Sequence, residues 1–349
     1  MNNLLSALRF LLFPLVPVYL AVTAVRNYLF SSGIYKSEKS SVPVISIGNI
    51  NTGGSGKTPF VIYMSRLLRS LGRKPSVLSR GYGRSTKGYL LAAKDGNLVT
   101  TVEKCGDEIY QTVLESGCSA AVSESRVEGA KKLINDTGTD VIVLDDGFQH
   151  RWLKRDLDLV IFDVSAWLSH PAQRMLLPAG NLRELPSALK RADAVILNHK
   201  FSENLICPDS IRKTADGMKI FNARYSATSF RDIKSGTEYS KNDFTGQKSL
   251  VVCGIANPHS FFKALSAIEI DAAEQMIFGD HKYYTNDEVQ VIRKRFYASN
   301  AQSVITTHKD AVKLQQFARE LDDIDIYALK IELIINEAEE FKVFVKSKI

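Results

Sequence analysis

Val44-Ile-Ser-Ile-Gly-Asn-Ile-Asn51-Thr52-Gly53-Gly54-Ser55-Gly56-Lys57-Thr58-Pro59 carries the strongest fold signal in the chain. An apolar run ends in a glycine-rich turn, then Lys57 and Thr58, then a helical pattern. That order gathers backbone N–H groups at a helix N-terminus, where they can cradle phosphate oxygens. The residues expected around a nucleotide triphosphate are Asn51, Thr52, Gly53, Gly54, Ser55, Gly56, Lys57 and Thr58. Lys57 would reach the β- and γ-phosphates, and the Thr58 hydroxyl would hold Mg²⁺. Asn51 stands where the strict pattern has glycine, and Asn tolerates positive φ better than most residues.

Working outward, strand-like apolar runs alternate with helical patterns. The runs are Pro43–Ile47, Ser76–Ser79, Ala120–Val122, Val141–Leu144, Leu159–Phe162 and Ala194–Leu197. Helical patterns at Phe60–Leu71, Glu108–Ser116 and Val127–Asp136 intervene. The alternation predicts an α/β, P-loop NTPase-like, mostly parallel sheet with helices on both faces. At 349 residues two domains are expected. The expected division is an N-terminal membrane-interface helix over 1–30, a nucleotide-binding lobe over 31–220, a connector over 221–248 and a smaller α/β lobe over 249–349. Strands near Leu250–Cys253, Gln275–Phe278, Ser303–Thr306 and Ile326–Leu329 carry that second lobe, which would close a cleft over the substrates.

The net charge of +7 suits an anionic partner, yet the basic residues are scattered and form no block, so nucleic acid is not expected. Cys105, Cys118, Cys207 and Cys253 are far apart, with neither disulfide nor zinc spacing. Phe10–Val25 is uncharged and mostly apolar between Arg9 and Arg26, and it contains Pro14 and Pro17. As a helix it would reach roughly 24 Å, short of a ~30 Å hydrocarbon core. It reads as a helix lying in the membrane interface, with Tyr19 and Tyr28 near the headgroups. A buried core helix is the alternative.

Val141–Leu144 runs into Asp145-Asp146-Gly147, a strand ending in two carboxylates, the expected metal-side partner of the phosphate loop. Strand alternation leaves open which aspartate faces the metal. Gln149 and His150 follow into the expected cleft, where they could contact substrate. Arg80 and Tyr82, in Ser79-Arg80-Gly81-Tyr82-Gly83-Arg84, suit an anion or substrate site at a strand's carboxyl end. Asp107 opens a helix and reads either as a helix cap or as a base for an alcohol acceptor. Leu177-Pro178-Ala179-Gly180-Asn-Leu-Arg183-Glu184 reads as a loop with a buried start and a charged end. His281 follows a second-lobe strand.

Taken together and in order, these motifs resemble the tetraacyldisaccharide 4′-kinase family from the N-terminal helix to near residue 315. The Gly53-Gly54-Ser55-Gly56-Lys57-Thr58-Pro59 and Asp145-Asp146-Gly147-Phe148-Gln149-His150 runs are its most specific parts. The family also generally lacks the glycine that Asn51 replaces. The resemblance implies ATP-dependent phosphorylation of the 4′-hydroxyl of a tetraacylated glucosamine disaccharide 1-phosphate, a lipid A precursor. It implies a location on the cytoplasmic face of the bacterial inner membrane. It further implies Asp107 as base assisted by His281, and Glu184 beside Mg²⁺ or water. Two other readings, a nucleotide-dependent switch and a kinase of a soluble small molecule, fit the phosphate loop alone.

Overall fold

The computed structural model describes residues 11–255, 258–279 and 282–349. The chain forms two compact units. One runs up to Arg224 and takes back Ile335–Ile349; the other is Tyr225–Ile334.

The first unit opens with helix α1 (Val16–Ser31). Strand β1 (Val44–Gly48) follows, then α2 (Lys57–Ser70), β2 (Pro75–Ser79), β3 (Leu90–Lys94), β4 (Asn97–Leu98), α3 (Asp107–Ser116), β5 (Ser119–Val122), α4 (Arg126–Thr137), β6 (Val141–Asp145), β7 (Leu157–Asp163) and β8 (Ala194–Asn198). Strand β9 (Lys219–Asp232) begins in this unit. The sheet order is β9-β8-β7-β1-β6-β2-β5-β3-β4. It is parallel from β9 to β5; β3 and β4 are antiparallel. Strands β1, β2, β5, β6 and β8 are buried at every residue, which is why they read as unbroken apolar runs.

Helices cover the sheet because their apolar residues recur at helical spacing. In α2, Phe60, Val61, Met64 and Leu68 are buried, and the helix stops before Gly72 at φ 77°. In α4, Ser125 caps the Glu128 N–H, and Gly138 at φ 60° ends the helix. One core packs Val44, Leu78, Ala130, Leu133 and Leu144; another packs Ile50, Phe148, Phe162, Trp167, Leu182 and Leu197.

The second unit starts within β9. It continues with β10 (Glu238–Ser240), β11 (Lys248–Cys253), α5 (Pro258–Ala267), β12 (Asp271–Ile277), α6 (Asn286–Ala298), β13 (Ser303–Thr307), α7 (His308–Leu314) and most of β14 (Ile326–Ile335). Strands β12, β11, β13 and β14 are parallel neighbours in that order. Their core is Leu250, Val252, Ile292, Val304, Leu314 and Ile326.

This division differs from the one expected from sequence. Residues 221–248 are largely strand rather than a separate connector: β9 runs on to Asp232 with only some of its residues buried, so it shows no unbroken apolar run. The last helix, α8 (Ala338–Lys346), belongs to the first unit. Its Phe341 is fully buried against Phe60 and Phe221, at ring separations of 6.0 and 5.0 Å.

Candidate active site

The site forms at the carboxyl ends of β1 and β6, which are hydrogen-bonded neighbours with Ile47 opposite Asp145. The glycine-rich loop leaves β1, and the acidic pair leaves β6. Gly53 and Gly56 supply the positive φ angles of the loop, 106° and 96°. Asn51 is not among the positive-φ residues. It forms a bridge with Leu182, and its side-chain amide donates to Gln173. The first intrahelical bond of α2 runs from the Phe60 N–H to the Gly56 carbonyl, 3.2 Å. The Lys57 and Thr58 N–H groups precede it and face the end of the helix.

The loop is propped from two sides. Asn49 Nδ2 donates to Ser55 Oγ (2.9 Å), and Asn198 Nδ2 donates to the Ser55 carbonyl (3.0 Å). The Thr52 N–H donates to the Asn181 carbonyl (2.7 Å), and the Arg183 N–H to the Ile50 carbonyl (2.7 Å). The Leu177–Glu184 motif is therefore a buttress laid along the phosphate loop. Thr52 spends its N–H and hydroxyl on the Asn181 carbonyl, whereas the Asn51 side chain turns to Gln173, just before the buttress. A Cβ on Gly180 would lie 2.1 Å from the Met175 carbonyl oxygen, so only glycine fits that bend.

The buttress also delivers Arg183. Its Nη1 donates to both carboxylate oxygens of Asp146 (3.0 and 2.9 Å) and to Gln149 Oε1 (3.3 Å). Lys57 Nζ lies 3.6 Å from Asp146 Oδ1. Burial alone would raise the Asp146 pKa, but Lys57 and Arg183 outweigh it and hold the carboxyl below its usual range. Asp146 sits at φ 52°, which turns the chain sharply off the strand.

Asp145 has the opposite environment. It is 5% exposed, and burial first, then Glu108 and Asp146, push its pKa up to about 6. Ser79 Oγ donates to its Oδ2 (2.9 Å), whereas Oδ1 is buried with no partner among the described residues. A buried carboxylate oxygen without a donor, next to other carboxylates, is a group that a cation would satisfy. No cluster of three His, Cys, Asp or Glu ligands occurs among the described residues. Such a site would suit a cation that keeps waters and phosphate oxygens as ligands, as Mg²⁺ does.

Arg126, the first residue of α4, is 4% exposed and close enough to Asp145 and Asp146 for both to act on its charge. A cation at a helix N-terminus opposes the helix dipole, so the two carboxylates give its placement a reason. Gln149 turns inward: its Nε2 donates to the Asn49 carbonyl, tying the acidic turn to β1. That corrects the expectation of a free substrate contact. Burial, followed by repulsion from Arg126, lowers the His150 pKa to about 4, so its imidazole is neutral near pH 7.

Asp107 is 6% exposed and is the first residue of α3, one place inside the cap position, which Gly106 occupies. A Cβ on Gly106 would lie 3.0 Å from the Tyr82 carbonyl oxygen, so the turn carrying Arg80 and Tyr82 packs directly on the residue preceding Asp107. Arg80 is exposed, as is Tyr82 at 72%. Glu184 departs from the expectation of a place beside metal or water. It is 5% exposed, its two oxygens accept from Arg191 Nη2 (3.0 and 2.9 Å), and Asn27 Nδ2 donates to Oε2 (2.7 Å). Asp280 and His281 lie outside the described residues, as does the start of the N-terminal segment before Leu11.

Residues 8–349 match the family described as LpxK, tetraacyldisaccharide-1-P 4′-kinase. A tetraacyldisaccharide 4′-kinase of Shewanella pealeana is 36% identical over 313 residues, covering 90% of this chain and 87% of that protein. One from Chlorobium limicola is 32% identical over 356 residues, covering 100% and 99%. Among solved structures, "apo" form LpxK from Aquifex aeolicus in complex with ATP superposes with a TM-score of 0.81 at 31% identity, covering 97% of this chain and 99% of that one.

Proposed function

The chain belongs to the tetraacyldisaccharide-1-P 4′-kinase family of lipid A biosynthesis, and from that premise we propose how its residues divide the work. The phosphate loop from Gly53 to Thr58 holds the ATP phosphates, with Lys57 on the β/γ side. Thr58 and Asp145 would hold Mg²⁺, which when bound supplies charge neutralisation to the transferring phosphoryl group. Asp146 is spent on Lys57 and Arg183; it fixes those two cations at the edge of the phosphate site. Asp107 accepts the proton of the sugar 4′-hydroxyl, and Arg80 and Tyr82 on the adjoining turn face the acceptor. The help of His281 to Asp107 is carried by the family motif alone. Glu184 braces Arg191 and α1 in place of a metal-side role.

The observation that carries this division is the pairing of Ile47 with Asp145, with Oδ1 of Asp145 buried and without a partner among the described residues. The membrane reading has its own support. On α1 the face turned to the protein carries Tyr19, Thr23, Arg26, Asn27 and Phe30, while Val18, Ala21, Val22, Ala24, Val25 and Tyr28 are exposed. Val16, Tyr19 and Leu20 already pack on the core from the inner side, so the second, outward apolar face is surface that a lipid layer would stabilise. The span Phe13–Ser31 is apolar enough to cross a bilayer by length and composition, yet its two prolines at the start and its polar contacts suit partial insertion at the cytoplasmic surface.

The test is transfer of γ-labelled phosphate from ATP to a tetraacyldisaccharide 1-phosphate in mixed micelles. Asp107→Asn should lower kcat about 100-fold or more with little change in KM. An unchanged kcat removes Asp107 from the base role.

A further inference from the structure

Helix α1 makes its polar contacts on the segments that build the phosphate site. The Tyr19 hydroxyl donates to the Arg183 carbonyl at 2.9 Å. Asn27 Nδ2, two turns on, donates to Glu184 Oε2 at 2.7 Å. Between them Arg26 Nη2 donates to the Gln149 carbonyl at 2.6 Å. The exchange runs both ways, since Arg151 Nη1 donates to the Asn27 carbonyl at 2.9 Å. Two consecutive residues of the buttress are therefore gripped from one helix, one by its backbone and the next by its carboxylate. Arg183 is the residue whose guanidinium reaches Asp146 and Gln149.

A helix that served only as a greasy anchor would need no such contacts. Its opposite face is apolar and exposed at Val18, Val22 and Val25 (59, 62 and 57%). A single helix thickness thus separates the apolar surface from the backbone that carries Arg183. We infer that Tyr19 and Asn27 are positioning residues for phosphoryl transfer: they seat Arg183 on Asp146, so that docking of α1 on lipid and alignment of the phosphate site are one event. The inference rests on the proposed reading of Arg183 and Asp146 as part of the phosphate site. Its consequence is that turnover, and not only lipid affinity, depends on how α1 is seated.

The experiment uses the full chain with a tetraacyldisaccharide 1-phosphate in mixed micelles. It measures kcat and lipid KM separately, with sedimentation on phosphatidylglycerol–phosphatidylethanolamine vesicles as a binding readout. Tyr19→Phe removes one hydroxyl and keeps the ring, so the fold is retained. It should lower kcat about fivefold, the worth of one hydrogen bond, with lipid KM and vesicle binding within about twofold. Asn27→Asp, which sets a second negative charge against Glu184, should lower kcat by about tenfold or more. Val22→Ser on the other face should do the reverse, raising lipid KM and weakening vesicle binding while kcat holds. Polar-face variants that keep kcat, or that change KM and vesicle binding alone, overturn the inference. Arg183→Lys separates the two failures. If it retains full kcat, the phosphate-site reading itself falls. If it alone is slow, only the role of α1 falls.

Discussion

Gly180→Ala is the substitution that most directly weighs the buttress. The added methyl would sit 2.1 Å from the Met175 carbonyl oxygen and 2.4 Å from its carbon. An ordinary carbon–oxygen contact is about 3.3 Å, so the bend must open by roughly 1 Å. The bonds at risk are Gly180 N–H to the Leu176 carbonyl (2.7 Å), Thr52 N–H to the Asn181 carbonyl (2.7 Å) and Arg183 N–H to the Ile50 carbonyl (2.7 Å). Overpacking costs about 1–3 kcal/mol, and each buried bond lost adds about 1 kcal/mol. A total near 2–4 kcal/mol corresponds to a fall in Tm of about 5–10 °C for a unit of this size. The kinetic effect should be larger, because a displacement of about 1 Å at a phosphate site costs on the order of 100-fold in turnover. Scanning calorimetry and the micellar phosphotransfer assay read the two effects. No residue that faces ATP is altered, so a variant with the parent Tm and a kcat within about twofold refutes the buttress.

Other outcomes test the electrostatics. Asp145→Asn should raise the Tm of the metal-free protein at pH 7.5 while abolishing transfer. The sign follows from the raised folded-state pKa of about 6. Above pH 6 the ionised carboxylate burdens the folded state, and the burden lifts as pH falls through 6 toward the unfolded value. An Asp145→Asn protein less stable than its parent at pH 7.5 contradicts this. His150 should show no imidazole titration by NMR between pH 5 and 8; a midpoint near 6.5 contradicts its burial beside Arg126. Arg126→Met removes a buried cation from beside Asp145 and Asp146, so the Asp145 pKa should rise further. The acid limb of the pH–rate profile should then move up, and an unmoved limb contradicts it.

The phosphate loop and the strand ending in Asp145 were legible in the sequence because both are local patterns. All ten apolar runs became strands, displaced by a few residues at their ends. What escaped was built by tertiary contact. Strand β9 lacks an unbroken apolar run because only some of its residues are buried. The role of Leu177–Glu184 is carried by backbone bonds to Ile50 and Thr52, which side-chain identity does not encode. Gly180 was the available clue. Arg126 at a helix start reads as a solvated charge until the fold brings two carboxylates to it. Glu184 and Gln149 look like free functional groups in a motif, yet Glu184 is held by Arg191 and by the distant Asn27, and Gln149 by Arg183 and by the distant Asn49. The proposed choice of Asp145 over Asp146 as metal ligand rests on the positions of Lys57 and Arg183.

The most direct measurement is calorimetric titration of ATP into the full-length protein, with and without Mg²⁺, in the parent and in Asp145→Asn. Mg²⁺ should tighten ATP binding to the parent and lose that effect in the variant, with metal-free ATP binding retained through Lys57 and the loop. Equal Mg²⁺ dependence in the two proteins would contradict the account.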